Sequence, residues 1–314
     1  MKKKVVILGG GTGLSTLLRG LKQFPLEITA VVSVCDDGGS TGKLREEFNM
    51  PAVGDLRRVL IALSETEPLF EQLFNYRFHA SSGVDGHTVG NLFLTALANI
   101  TGNMSDGIET LSKVFNLKGK VLPLTEDNVT LVAKMEDGTV VQGEHNITEC
   151  NKVIDKVYYK ENPVVSPKVI KAIHEADLVL LSMGSLYTSI IPNLICDDVI
   201  RAIDESDAKI MYVSNMMTQP GETDHFKVSD HVRVLNDYLG KHKVDVVIAN
   251  HGSITRELIN KYSVLEQKDP VLLDPENMKD LNVTVIEDDF VTVEDEMIRH
   301  NVTKLAFHIF SYLL

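Results

Sequence analysis

Short continuous apolar runs alternate along the chain with stretches in which apolar residues recur every three or four positions. VVILG (5–9) is followed by Leu14, Leu17, Leu18 and Leu21 at helical spacing, and ITAVVSV (28–34) supplies the next run. Helical patterns cover 55–64, 68–76, 89–99 and 104–116. The alternation resumes with DLVLLSMG (177–184), AKIMYVSN (208–215) and VDVVIAN (244–250). NVTVIEDD (282–289) reads as a further strand and VTKLAFHIFSYLL as a closing helix. Apolar strands separated by helices predict a mostly parallel sheet covered on both faces, an α/β, three-layer, Rossmann-like fold. Residues 120–165 break the rhythm. TLVAKMEDGTVVQGEHNI alternates around Asp137-Gly138, which predicts a small β-rich hairpin insertion within a single domain spanning 1–314.

Composition narrows the setting. With 44% hydrophobic and 24% charged residues, the chain has the make-up of a soluble globular protein. Its 31 basic against 44 acidic residues give a formal charge of −13, which argues against non-specific binding to nucleic acid or anionic lipid. Cys35, Cys150 and Cys196 show no CxxC spacing, so disulfides are not the framework and a reducing compartment fits. The opening MKKKVVILGGG carries too short an apolar run for a secretion signal, and no stretch approaches the ~20 apolar residues of a membrane span. A cytoplasmic protein without membrane insertion is expected.

Candidate chemistry lies where strands end. GGGTGLS (9–15) follows the first strand and opens a helix, so Gly10, Gly11, Thr12 and Gly13 suit close approach to a phosphate. As a dinucleotide fingerprint it is incomplete, with Thr16 where the third glycine belongs, and no P-loop lysine follows. A merely tight strand–helix turn is the plainer alternative. VCDDGGSTGKLR (34–45) ends the second strand on the same sheet edge, where open α/β sheets bind ligands. Asp36 stands where a ribose-binding acid belongs, and Asp37 shares that task or coordinates Mg²⁺. Gly38 to Gly42 suit a phosphate, with Lys43 or Arg45 balancing its charge. The alternative is an acidic turn capping the next helix.

In VGDLRRVL (53–60), Asp55 reads as a helix N-cap, while Arg57 and Arg58 in the first turn oppose the helix dipole. An anion, or the earlier acids, would compensate; a solvated arginine face is the alternative. GHTVGNLFL (86–94) offers His87 and Asn91, without the second histidine of a helical zinc pair. Three further polar loops follow strands. They carry Gly184, Ser185, Tyr187, Thr188 and Ser189; Asn215, Thr218, Gln219, Glu222 and Thr223; and Asn250 with His251. Each alone is ordinary, but together they outline one polar cleft along one sheet edge. No GxSxG, HExxH or CxxC motif occurs, so nothing names a nucleophile or a general base.

GGGTGLS, DDGGSTGKLR, PAVGDLRRVL, GHTVGNLFL, GSLYTSIIPNL and SNMMTQPGET, in this order, closely resemble the YvcK type of gluconeogenesis factor. That group lies in the CofD-like superfamily, beside the 2-phospho-L-lactate transferases of deazaflavin coenzyme synthesis. The resemblance implies a cytoplasmic, homo-oligomeric protein, a dimer or larger, that supports cell shape and growth on gluconeogenic carbon sources. It implies binding of UDP-sugars, notably UDP-N-acetylglucosamine, with no obligatory cofactor and no established catalysis. NAD suits the same cleft, and Mg²⁺ would be held at Asp36 and Asp37. Tyr262 and Arg299 lie in regions resembling the family's sugar-nucleotide contacts. One departure is visible: Ser182-Met183-Gly184 replaces the family's Gly-Pro-Gly, freeing a backbone angle that proline fixes. The competing readings are a Mg²⁺-dependent phospholactyl-type transferase and an NAD-dependent oxidoreductase. The second lacks an intact GxGxxG.

Overall fold

The computed structural model describes residues 2–65, 68–79, 81–294 and 296–314; Met1, at the head of the opening basic run, lies outside them. The first six strands are β1 (Lys4–Gly9), β2 (Glu27–Val32), β3 (Lys120–Pro123), β4 (Leu131–Met135), β5 (Val140–Gln142) and β6 (Ile154–Tyr159). The others are β7 (Leu178–Leu181), β8 (Lys209–Val213), β9 (Val246–Asn250), β10 (Thr284–Asp288), β11 (Val291–Glu294) and β12 (Met297–His300). The helices up to the middle of the chain are α1 (Gly11–Leu21), α2 (Gly39–Phe48), α3 (Gly54–Leu63), α4 (Pro68–Asn75), α5 (Val89–Thr101), α6 (Met104–Val114) and α7 (Glu144–Glu149). After them come α8 (Pro167–His174), α9 (Ile191–Leu194), α10 (Asp197–Asp204), α11 (Val228–Tyr238), α12 (Arg256–Glu266), α13 (Pro275–Lys279) and α14 (Val302–Tyr312).

Seven strands form one sheet in the order β10-β9-β8-β7-β1-β2-β3, and every neighbouring pair runs parallel. Helices flank it. The β-branched and leucine-rich runs suit this cover: β7 is buried at all its positions, and β1 at every residue after Lys4. From β1 the chain moves outward through β2 to β3, then returns to the other side of β1 with β7 and moves away through β8 to β10. The β1–β7 boundary is therefore the topological switch point. The loops leaving the carboxyl ends of these two strands diverge there and open a crevice.

One boundary differs from the sequence expectation. Residues 120–123 pair in parallel with Thr29–Val32 and form the edge of the main sheet, so the insertion starts later. It comprises an antiparallel sheet, β5-β4-β6, and the short helix α7. Its β4–β5 turn is closed by Met135 N–H donating to the Thr139 carbonyl at 2.8 Å, with Gly138 at φ +84°. The final EHNI of the alternating run belongs to α7 and not to a strand.

The β11–β12 hairpin, which no periodicity announced, folds back on the main sheet: His300 Nε2 lies 3.0 Å from the Ser214 carbonyl just past β8. A single apolar cluster runs through the chain, with Tyr212, Phe74 and Phe290 its largest fully buried side chains. No helix among the described residues is long and apolar enough to cross a membrane.

Candidate functional site

The glycines after β1 have different tasks. Gly11 adopts φ +63°, a left-handed angle that glycine takes without strain. A side chain on Gly13 would overlap the Met183 carbonyl, and one on Gly9 would overlap Ser182 Oγ. These two glycines therefore let the loops after β1 and β7 touch across the switch point. At the mouth of α1, Gly11 N–H donates to Asp55 Oδ2 at 2.6 Å. The anion at this helix N-terminus is thus a side chain of the protein. Asp55 sits within the first turn of α3, whose cap is Val53, so it serves the neighbouring helix and not its own. Arg58 Nη1 donates to its other oxygen at 2.9 Å.

Asp55 does not stand alone. Burial, followed by repulsion from Asp36, raises its carboxyl to about 6. Glu144 of α7 rises to about 7 by burial and then by Asp36, against hydrogen bonds from Thr188 and Thr148. Three acids from separate elements thus share one low-dielectric region, and two of them change charge near neutrality. Asp36 itself accepts Gly38 N–H at 3.0 Å, and the absence of a side chain on Gly54 leaves room for its other oxygen and for Thr41.

Asp37 turns elsewhere, accepting His145 N–H at 2.9 Å at the start of α7. The adjacent acids therefore have different hydrogen-bond neighbours. Among the described residues no group of three His, Cys, Asp or Glu could hold a metal ion.

On the other lip, Gly184 adopts φ +148° and is clamped by Asn215, which accepts its N–H at 2.9 Å and donates to its carbonyl at 2.7 Å. Ser185 caps the π-turn Leu186–Ile190 by accepting Thr188 N–H at 3.0 Å. Its hydroxyl donates to Glu222, 2.7 Å away. Gln219 Nε2 and Tyr187 N–H donate to the same carboxylate at 2.8 and 3.3 Å. Burial lifts Glu222 to about 7, while the bonds from Ser185 and Tyr187 hold it down. Ser185, Tyr187 and Gln219 are thereby joined in a brace that fixes this loop. Met183 is buried, and its carbonyl packs against Gly13.

The remaining expected residues divide. Thr12 is exposed at the head of α1 and Gly38 lies beside Asp36, both at the crevice. Arg45 is buried. It donates to the carbonyls of Cys35, Asp36 and Val129 and to Asn128 Oδ1, so it braces the acidic loop and is not aimed at a phosphate. Asn91 is buried in α5 and donates to Ser40 Oγ at 3.1 Å. Tyr262 is also buried, its hydroxyl accepting Ile298 N–H at 2.9 Å, which leaves its ring inside the fold. Arg299, on the next residue of β12, is exposed and forms no ion pair among the described residues. Through His300 it stands near the end of β8. A cavity of about 560 Å³ at this end of the sheet is bounded by Met216, Asn250, His251, Ile254, Leu272 and Pro275.

Glu144 had no sequence signal as a site residue, because it follows the hairpin pattern and reaches the cleft only through the tertiary fold.

Comparison with known proteins agrees with this architecture. The family model described as 2-phospho-L-lactate transferase CofD matches residues 5–291. A gluconeogenesis factor of Bacillus subtilis is 46% identical over 306 residues, covering 97% of this chain and 96% of its own. That of Halalkalibacterium halodurans is 45% identical over 306 residues, covering 97% and 95%. A crystal structure of a protein from Bacillus halodurans superposes with a TM-score of 0.95 at 45% identity, covering 98% of this chain and 99% of that one.

Proposed function

The chain belongs to the CofD-like family, on its gluconeogenesis-factor branch, and from that premise we propose that it is a regulatory protein that binds a nucleotide sugar of the UDP-N-acetylglucosamine type. In this reading it works in the cytoplasm as a homo-oligomer and supports growth and cell shape under gluconeogenic conditions.

The observation that carries the reading is the convergence of the 9–13 and 184–189 loops at the switch point, flanked by Asp36, Asp55 and Glu144. Carboxylates in a dry site suit sugar and ribose hydroxyls, which donate to them. They do not suit a bare diphosphate, which is better served by the exposed Arg299. NAD offers the same hydroxyls and diphosphate and is the natural competitor for this cleft.

A second reading, phospholactyl transfer from a nucleotide-activated donor, is favoured by the description of the matching family model and by two acids that titrate near neutrality. Asp36 and Asp37 have different hydrogen-bond neighbours, and no step is routed through Mg²⁺.

The test is isothermal titration of the purified protein with UDP-N-acetylglucosamine, UDP-glucose, NAD and GDP, each with and without Mg²⁺, followed by analysis of the recovered ligand. Binding of intact UDP-sugars without a Mg²⁺ requirement supports the regulator. Absence of UDP-sugar binding, or a Mg²⁺-dependent response to GDP alone, overturns it.

A further inference from the structure

The sequence of α5, VGNLFLTALANIT, holds no charged residue, although 24% of the chain is charged. Gly90, Asn91, Leu94 and Thr95 are its buried side, while Phe93, Ala96 and Ile100 are exposed on the other. α4 repeats the arrangement. Its Phe74 is buried, whereas Leu69, Leu73 and Tyr76, recurring at helical spacing, are exposed. The one charge within α4, Glu71, is paired with Arg19 of α1. A helix that met only water on its outer side would carry polar and charged residues there.

The two helices adjoin. Val89 N–H, at the head of α5, donates to the Tyr76 carbonyl at 3.0 Å, and Arg77 and Thr88 form an antiparallel bridge. The Phe74 and Phe93 rings pack edge-on with centroids 5.8 Å apart. Leu69, Leu73, Tyr76, Phe93 and Ile100 are between 45% and 79% exposed. Together they present roughly 600 Å² of mostly apolar surface, at the upper end of the largest patch on an ordinary monomer. A standard interface takes about 800 Å² from each partner, so these five side chains supply most of one.

We propose that this α4–α5 face is the interface through which two copies of the chain pair about a two-fold axis. Charge selects the partner. At −13, two copies repel over most of their surface, and a face without charge lets them meet free of that cost. A two-fold contact sets the same patch against itself, and an uncharged apolar patch is complementary to its own copy. An anionic membrane surface would call for lysines or arginines beside the apolar stripe, and α4 and α5 contain none. The proposal deepens the homo-oligomer of the reading above and rests on that part of it alone; nucleotide-sugar binding does not enter.

The experiment is sedimentation velocity on the full-length protein over a dilution series reaching about 100 µM. The native chain should sediment as a dimer. Ile100→Glu and Leu73→Glu should each weaken the dimer by about a hundredfold or more, because a carboxylate would be buried against its own copy without a counter-charge. Both side chains are exposed in the single chain, so the circular dichroism of either variant should match the native spectrum. Val264→Glu, at an exposed valine of α12, is the matched control and should remain dimeric. A dimer retained in both α4–α5 variants, or lost equally in Val264→Glu, overturns this interface and leaves the oligomer standing. A native chain that stays monomeric throughout overturns both. Titration of the same samples with UDP-N-acetylglucosamine reads the ligand separately, and absence of binding there bears on the crevice alone.

Discussion

Asp37 Oδ1 accepts the backbone N–H of His145 at 2.9 Å, joining residues 108 apart in sequence. The acid after β2 thus caps a helix of the insertion, while its neighbour Asp36 serves the crevice. Asp37→Ala should cost about 1 kcal/mol, the usual weight of a lost cap. Amide hydrogen exchange should accelerate at residues 144–149 and remain unchanged in β1 and β7. Equal protection of α7 in the variant would contradict the capping role.

Asp55, Glu144 and Glu222 keep protons in the fold at pH values where the unfolded chain has lost them. The folded state then binds more protons than the unfolded one, so stability falls as pH rises through their folded values and levels off above them. His300, brought down to about 4 by burial, acts in the opposite sense, mostly below the ordinary histidine value of 6.5. From pH 6.5 to pH 8 the unfolding free energy should therefore drop by about 1 kcal/mol. Asp36→Asn should flatten that drop by relieving Asp55 and Glu144. Urea melts at the two pH values measure both effects.

Gly13→Ala puts a methyl group into the Met183 carbonyl. A backbone oxygen yields less readily than a side chain, so the expected cost is about 2 kcal/mol or more. Gly83→Ala, at a position with open space, is the matched control and should be nearly neutral. Thermal melts of the pair decide it.

Tyr262→Phe and Arg299→Ala should separate stability from binding. The first deletes the hydroxyl that receives Ile298 N–H and should cost about 1 kcal/mol. The second removes an exposed cation with no ion pair among the described residues and should leave the melting temperature unchanged. UDP-N-acetylglucosamine affinity should fall in Arg299→Ala. Calorimetry on both variants checks the division.

Local pattern carried the strands and helices far, because continuous apolar runs such as LVLL and ITAVV can only be central strands of a covered sheet. It failed at KVLP (120–123), four residues whose partner is Thr29–Val32 and whose neighbour in sequence is a hairpin pattern. A strand that short shows its sheet only through a distant pairing. The glycine loop was legible as a special turn, but the carboxylate filling its helix mouth belongs to Asp55, 44 residues away. Arg45 has the charge and spacing of a phosphate ligand, yet it points inward to carbonyls. Spacing gives residue type and order; which way a side chain faces is settled by the elements packed against it.

The pairing of β1 with β7 also sets the order in which this molecule comes into being. The glycine loop is made well before Leu178–Leu181, so the strand edge beside it stays bare until β7 follows. Through that interval the nascent chain carries half of a crevice and an unpaired, fully apolar strand flank, a surface open to mispairing. Pairing of β7 with β1 covers that flank and seats Met183 against Gly13, so the same contact buries the sheet's centre and closes the crevice.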